Sequence, residues 1–538
     1  MATPEVANRS AEAERSRRED ERRRYERRPH FENATLITGR WPAERRFAVR
    51  TVDLSPVGAR VLVVGGAAPD MGTSARLRVY LPGEAPGRGP RELSGLVANR
   101  SSAPGGVQSV GLSFTARIDE QSDAESTRVR RRGALVLAGL LALLMCVLRI
   151  GQLEQFWYAP WLRAYSLLTC AYIVSRIVIS SFYREPEDRG YRPSVSVIIP
   201  VKNEADAIAS TVSACLASRY PADRLEIIVV DDASTDSTWA TLQRLREVHP
   251  RLKLIRFPEN RGKRQALGAG IAVAEGDVFV FVDSDSIPDP EGVYRLVQPL
   301  KDPSVGAVSG HVEVAVDPGS VISMMESVRY HLGHCYIKGA ESVFGAVTCC
   351  PGPFSAYRRE AVLGVLDGWL KQKFLGVPAT FGDDRSLTLR VLRSYRVLFH
   401  AGARCRTKVP DRWMQFFRQQ LRWKKSWMRE FPTGFRLMWR EHPVVAAGWF
   451  AGAAITFCSP LVLAYALFYL PLAAGVMPGY YLLAFLLTYV CLSLVCFHQT
   501  GTPYWYYGPV AGAVYLCVLV WQNYYALLTI NKTAWGTR

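Results

Sequence analysis

Apolar positions along this chain change texture several times, and each change predicts a different kind of element. Residues 1–29 hold few apolar residues and are dense in Arg and Glu, which predicts a basic arm with no packed core of its own. From 30 to 125, short alternating segments such as FAVRTVDL, ARVLVV, ARLRVYL and VGLSF are separated by Gly, Pro and Ser. Period-two alternation between turn residues predicts a small antiparallel β barrel or sandwich. Continuous apolar runs follow at 133–148 and 164–183, joined by a Trp- and Tyr-rich connection. A bilayer core takes roughly 20 apolar residues per helix, so two transmembrane helices are expected within 133–183.

Between 190 and 410 the pattern alternates buried-strand runs (VSVIIPV, EIIVVDD, KLIRF, DVFVFVDSD, GAVSGHVEV) with helical ones (IASTVSACLAS, WATLQRLREV, KRQALGAGIAVAEG). Such alternation predicts an α/β domain on a largely parallel sheet, with ligands at the carboxyl ends of the strands. The stretch 411–440, containing DRWMQFFRQQLRWKKSWMREF, is amphipathic, aromatic and basic, as suits helices lying in a membrane interface. Apolar text resumes within 444–530, as runs at 444–476, 480–497 and 508–530. The first of these, with Pro460, is long for one helix and short for two. Five or six transmembrane helices are expected in all, Lys532 and Arg538 favouring an even number and a cytoplasmic C-terminus.

Charge and cysteine content narrow the class. The net charge of +18 on 538 residues is concentrated in Arg9–Arg28 and in Arg128, Arg130, Arg131 and Arg132 beside the first apolar run, where cytoplasmic basic residues belong. No recognition-helix or zinc-finger pattern accompanies it, so a nucleic acid polymer is not an expected partner. The opening residues are polar, so the N-terminus is expected to stay in the cytosol. Eleven cysteines include no C-x-x-C pair and read as packing residues.

Candidate chemistry lies at the ends of the α/β strands. VSVIIPVKNEADAI offers Glu204, EIIVVDDAS offers Asp231 and Asp232, DVFVFVDSDS offers Asp283 and Asp285, and FGDDRSLT offers Asp383 and Asp384. Asp-x-Asp suits a divalent cation held against a diphosphate, Asp285 with help from Asp283, although such a pair can also simply close a turn. Asp231 and Asp232 suit hydrogen bonds to a base or ribose. Lys263 and Arg264, at a Gly turn opening a helix, suit the diphosphate or an exposed basic turn. Transfer onto a hydroxyl needs a general base, for which Asp384 is the candidate with Asp383 in support; an Asp here can equally cap the following helix. In Gln419-x-x-Arg422-Trp423 the indole can stack on an acceptor sugar while Gln419 and Arg422 reach a diphosphate; a plain interfacial anchor is the alternative.

The ordered set VDDAS, VDSDS, CCPGPFSAYRR, GDDRSLT and QQLRW resembles the processive family 2 glycosyltransferases, the cellulose, chitin and hyaluronan synthases. The resemblance covers about 194–427 and the flanking helices. It implies a GT-A fold, a hexosyltransferase activity on UDP-sugar donors, a requirement for Mg²⁺ or Mn²⁺, and a growing polysaccharide that leaves through the enzyme's own helices among membrane lipids. CCPGPFSAYRR and GDDRSLT are most similar to hyaluronan synthases and nodulation-type chitin oligosaccharide synthases, which favours UDP-GlcNAc with UDP-GlcA as a second candidate. His311 in SGHVEV departs from that pattern. Upstream, Arg23-x-x-x-Arg27 and Asp53-x-Ser55-x-x-Gly58 resemble a PilZ domain, which implies cyclic di-GMP as an allosteric effector. The expected whole is a multidomain protein of the cell membrane: a PilZ-like barrel, a GT-A domain and a helical membrane bundle, with both soluble domains cytoplasmic. Alternatives are a non-processive transferase acting on a lipid carrier, or a catalytically silent cyclic di-GMP receptor.

Overall fold

This structure, a computed structural model, describes residues 160–531 apart from 380, 476, 478 and 501, together with 28–29, 33–38, 45–55, 58–63, 68–71, 73–79, 91–102, 108–114, 133–134 and 136–141. The chain divides into two compact units, Met1–Gly133 and Ala134–Arg538.

In the first unit the strands are β1 (Arg28–Pro29), β2 (Asn33–Thr38), β3 (Arg45–Ser55), β4 (Gly58–Val63), β5 (Ser74–Val79), β6 (Arg91–Ser102) and β7 (Gln108–Phe114). Their order is β1-β3-β2-β5-β6-β7-β4, and a further β3–β4 pairing closes the sheet into a barrel. All pairings are antiparallel. Leu36, Val49, Val61, Leu77, Val97 and Val110 fill the interior, the inward half of the alternation read above. Arg23 and Arg27 lie outside the described residues. Backbone register nevertheless pairs Arg28 with Leu54 and Pro29 with Asp53, while Ser55 pairs with Gly58 across the tight β3–β4 turn. The end of the arm therefore runs alongside the D-x-S-x-x-G turn.

The second unit is built on an eight-stranded sheet. Its strands are β8 (Val195–Val201), β9 (Leu225–Asp231), β10 (Leu252–Arg256), β11 (Val278–Phe281), β12 (Ser286–Pro288), β13 (Val305–Val314), β14 (Ser355–Arg358) and, after a small hairpin of β15 (Lys373–Phe374) and β16 (Val377–Pro378), β17 (Arg396–Thr407). The order is β10-β9-β8-β11-β14-β13-β17-β12. Strands β10, β9, β8 and β11 are mutually parallel, but β14 runs antiparallel to both β11 and β13. The sheet is thus mixed rather than largely parallel: a β14 of only four residues gives no periodicity from which its direction could be read.

Both faces of the sheet are covered, as the continuous apolar strands require. Val195, Val197, Ile199 and Val201 of β8 pack into one core, and Ile198 packs into the other with Ile228, Val230, Phe279 and Phe281. The order in which successive strands join the sheet reverses at β8, whose neighbours β9 and β11 leave a crevice at their carboxyl ends.

Among the described residues, four helices are long and apolar enough to cross a membrane: Pro160–Ser180, Pro443–Ala474, Tyr481–Thr500 and Trp505–Leu528. Half of the run at 133–148 falls outside the described residues, as do Lys532 and Arg538. The segment Pro443–Ala474 is one span, so the run that was long for one helix does not divide into two. Proline at 460 removes the N–H that would bond Thr456 O, and Asn523 Nδ2 donates to that carbonyl instead at 3.0 Å. A neighbouring helix thereby repairs the break. The interface stretch likewise forms a single helix, Trp413–Met438.

Candidate functional site

At the carboxyl edge of β8, Asn203 takes a left-handed backbone with φ of +53°. Its N–H donates to Ser234 Oγ at 2.9 Å and its Oδ1 accepts from Thr235 N at 2.8 Å; the Glu204 N–H donates to Thr238 Oγ1 at 2.9 Å. These bonds tie the β8 loop to the β9 loop and set Glu204 at the crevice.

Asp231 and Asp232 divide because successive strand residues face opposite sides. Asp232 accepts from the N–H groups of Arg261 at 2.7 Å and Gly262 at 2.9 Å, holding the turn that opens helix α1 (Lys263–Val273). Asp231 points away: it is fully buried, accepts from Ser234 N at 3.0 Å and pairs with Arg256 at 3.3 Å. Its predicted place on a base or ribose is therefore not what the structure shows; it braces the turn from behind.

The same division separates Lys263 from Arg264, neighbours on a helix that cannot share a face. Lys263 reaches into the crevice and pairs with Asp283. Burial works against its ammonium, but the charges of Asp283, Asp383 and Asp384 outweigh it and raise the lysine's pKa. Arg264 is buried on the other side, donating to Asp383 Oδ1 at 2.6 Å, to Trp369 O at 3.1 Å and to Gln372 Oε1 at 3.1 Å. It does not reach the diphosphate position expected for it; it anchors Asp383.

Asp383 and Asp384 open helix α2 (Asp383–Val391), whose N-cap is Gly382 at φ of +85°. The capping alternative is thereby settled for the backbone: a glycine takes the left-handed position, and both carboxylates lie in the first turn, where the helix N-terminus favours negative charge. Asp384 accepts from its neighbour Arg385 N at 2.8 Å and faces Cys349 Sγ at 3.7 Å. Asp285 accepts from Thr407 Oγ1 at 3.4 Å. Above Asp283, Gly352 of the CCPGP loop packs so closely that a Cβ there would stand 2.8 Å from Lys263 Nζ, so a side chain at this position would push the ammonium aside.

One cavity of about 920 Å³ joins these groups. Glu204, Asp232, Lys263, Asp283, Asp285, Asp383, Asp384, Gln419, Arg422 and Trp423 all line it; Asp231 and Arg264 do not. Helix α3 (Trp413–Met438) supplies the last three, and Trp423, 40% exposed, sits 6.3 Å from the Tyr330 ring. The cavity continues to Tyr172 and Ile173 of the first described span and to Tyr489 and Leu492 of another. The carboxylates at one end of it, Asp283 and Asp285, offer oxygen donors that fit a hard divalent cation beside phosphate oxygens.

Several lining residues were not anticipated. Arg418 stands one turn before Arg422 on α3, a periodic signal present in the sequence. Lys338 carried none. It is half-buried on the irregular stretch Gly333–Lys338, donates to Ser309 Oγ at 3.1 Å, and has its pKa lowered by desolvation.

Residues 196–365 match the family model described as glycosyl transferase family 2, and residues 21–129 match the PilZ domain model. The chain is 34% identical over 288 residues to an N-acetylglucosaminyltransferase of Mesorhizobium japonicum, covering 51% of this chain and 67% of that protein. It belongs to the family 2 glycosyltransferases. A hyaluronan synthase of Streptococcus pyogenes is 28% identical over 381 residues, covering 70% of this chain and 90% of that protein. Among solved structures, a mannosyltransferase from Pyrobaculum calidifontis in complex with GDP-Man and Mn²⁺ aligns at 28% identity and a TM-score of 0.47, over 66% of this chain and 99% of that one. This glycosyltransferase is accordingly a hexosyltransferase with an N-terminal PilZ domain and a membrane-spanning part.

Proposed function

We propose that the enzyme polymerises UDP-sugars, UDP-GlcNAc first among them and UDP-GlcA as the candidate second donor, and passes the polysaccharide through its own membrane helices. The observation that supports this best is the continuity of one cavity from Asp285 and Asp384, past Trp423, to membrane-helix residues Tyr172 and Tyr489. A transferase with a soluble acceptor has no need for an acceptor space that runs on into its membrane helices, and Gln419, Arg422 and Trp423 beside that space favour a processive synthase over a transferase acting on a lipid carrier. In this reading the soluble domains lie on the cytoplasmic side, where nucleotide sugars are made.

Glu204 and Asp232 hold the nucleoside, and Lys263, Gln419 and Arg422 meet the diphosphate. Asp285, aided by Asp283, would hold Mg²⁺ or Mn²⁺, which when bound neutralises charge on the leaving diphosphate. Trp423 stacks against the terminal sugar of the acceptor. Asp384 takes the proton from the acceptor hydroxyl as its oxygen attacks the anomeric carbon. The bond from that carbon to the diphosphate breaks, UDP leaves, and the anomeric configuration inverts. Arg264 and Asp383 keep the base in place.

Purified protein in nanodiscs, given single UDP-sugars and then pairs, tests the reading directly. UDP release with UDP-GlcNAc and a product cut by a chitinase or hyaluronidase is the expected result; no UDP release with any donor would overturn it.

The barrel's arm and turn support cyclic di-GMP as effector: Arg28–Pro29 runs beside Leu54 and Asp53, next to the Ser55–Gly58 turn. Arginine suits both the phosphates and the guanine faces of that ligand. Calorimetric titration of the full-length protein should show saturable heat, and the Arg23→Ala/Arg27→Ala double variant should lose it. Absence of heat with the unaltered protein at high ligand concentration would remove this effector from the account.

A further inference from the structure

His311, the residue that departs from the family pattern, does not line the transfer cavity. It stands on β13 with 6% exposure, and its Nδ1 is buried without a hydrogen-bond partner. Facing it, His331 lies near the end of the helix Val321–Leu332, and Cys335 follows one turn later in the π-helical stretch Gly333–Lys338. Donor atoms from His311, His331 and Cys335 all lie within 4.8 Å of one another.

Geometry within this group is that of ligands. Cys335 Sγ stands 3.5 Å from His331 Nδ1. A tetrahedral zinc site with arms of about 2.3 Å to sulfur and about 2.0 Å to nitrogen has a sulfur-to-nitrogen edge of about 3.5 Å. The other ring nitrogen, His331 Nε2, lies 3.0 Å from Gln499 Oε1. That outer hydrogen bond puts the proton on Nε2 and leaves the Nδ1 lone pair facing the thiol, an arrangement usual around metal-bound imidazoles. A thiol–imidazole hydrogen bond alone would account for the 3.5 Å separation but not for the orphaned nitrogen of His311.

We propose that His311, His331 and Cys335 bind a Zn²⁺ ion, separate from the carboxylates of the transfer site. Two imidazoles and a thiolate suit this borderline-soft cation, whereas Mg²⁺ prefers oxygen. The remaining tetrahedral position falls to water. Burial lowers the His311 pKa to about 3, with His331 and Arg404 adding to the shift, so this imidazole is neutral, as ligation requires. Burial pushes the Cys335 thiol up to about 12; zinc displaces its proton to solvent as the sulfur–metal bond forms. The ion would staple β13 to the helical segment whose residues Tyr330, Leu332, Gly333 and His334 line the transfer cavity, and through Gln499 to the span Tyr481–Thr500.

Cobalt reports such a site optically. Full-length protein without a polyhistidine tag, in nanodiscs, is stripped with a chelator, returned to excess Mg²⁺, and titrated with Co²⁺. The expected result is a near-ultraviolet sulfur-to-cobalt charge-transfer band and tetrahedral visible bands that saturate at one equivalent and are displaced by Zn²⁺. Cys335→Ser should abolish the charge-transfer band, and Gln499→Leu should raise the Co²⁺ Kd about 10–100-fold. No charge-transfer band with the unaltered protein overturns the site, as does a band that survives Cys335→Ser. Should that variant fail to fold, alkylation of Cys335 in the unaltered protein decides. Protection by one equivalent of Zn²⁺ supports the site, and unchanged reactivity overturns it.

Discussion

Asp384→Asn is expected to lower elongation by about two to four orders of magnitude, the range a positioned general base contributes, while UDP still binds. Asparagine keeps the side chain's size and can still accept the Arg385 N–H that Asp384 accepts at 2.8 Å. It cannot take a proton. Initial rates of UDP release and a parallel UDP titration separate the two effects. Loss of UDP binding along with turnover would make Asp384 a structural residue of the donor site instead.

The second large effect is on stability. Arg264 and Asp383 form a buried pair, with side-chain exposures of 5% and 7%, and the guanidinium also donates to Trp369 O and Gln372 Oε1. Arg264→Met fills much of the same space but leaves a buried carboxylate uncompensated, a change that typically costs about 3–5 kcal/mol. The unfolding transition of the catalytic unit should move to markedly lower temperature, and turnover should fall because Asp383 adjoins the base. Adding Asp383→Asn to Arg264→Met should recover part of the loss, since no unpaired charge then remains. An unchanged transition in the single variant would show that the pair contributes little.

How much of this site was legible beforehand depended on side-chain direction. Strand runs and acidic stations came through clearly, because buried strands are continuous apolar text and the carboxylates interrupt it at their ends. Adjacent pairs were where the reading lost precision. Asp231 and Asp232 read in the sequence as one acidic station, yet alternation along a strand sends one to Arg256 of β10 and the other to the crevice. Lys263 and Arg264 read in the sequence as one basic turn, yet a helix rotates neighbours by roughly 100°, so Lys263 meets Asp283 and Arg264 meets Asp383. Both divisions follow from the periods of strand and helix and could have been drawn from the sequence. Lys338 could not, because its place depends on the π-helical stretch Gly333–Lys338, which has no signal in apolar spacing. Pro460 misled in the opposite sense: the partner that saves its helix, Asn523, lies 63 residues away in another span.

The central claim is that a nucleotide diphosphate occupies the cavity between Asp285 and α3. A cryo-electron microscopy map of the nanodisc-embedded protein with UDP and Mn²⁺ tests it most directly. The account predicts metal density at ligating distance from a carboxylate oxygen of Asp285, phosphate density between it and Arg422, and the Trp423 indole bordering the open acceptor side. UDP bound anywhere else, or Asp285 left without metal while UDP is seated, would contradict it.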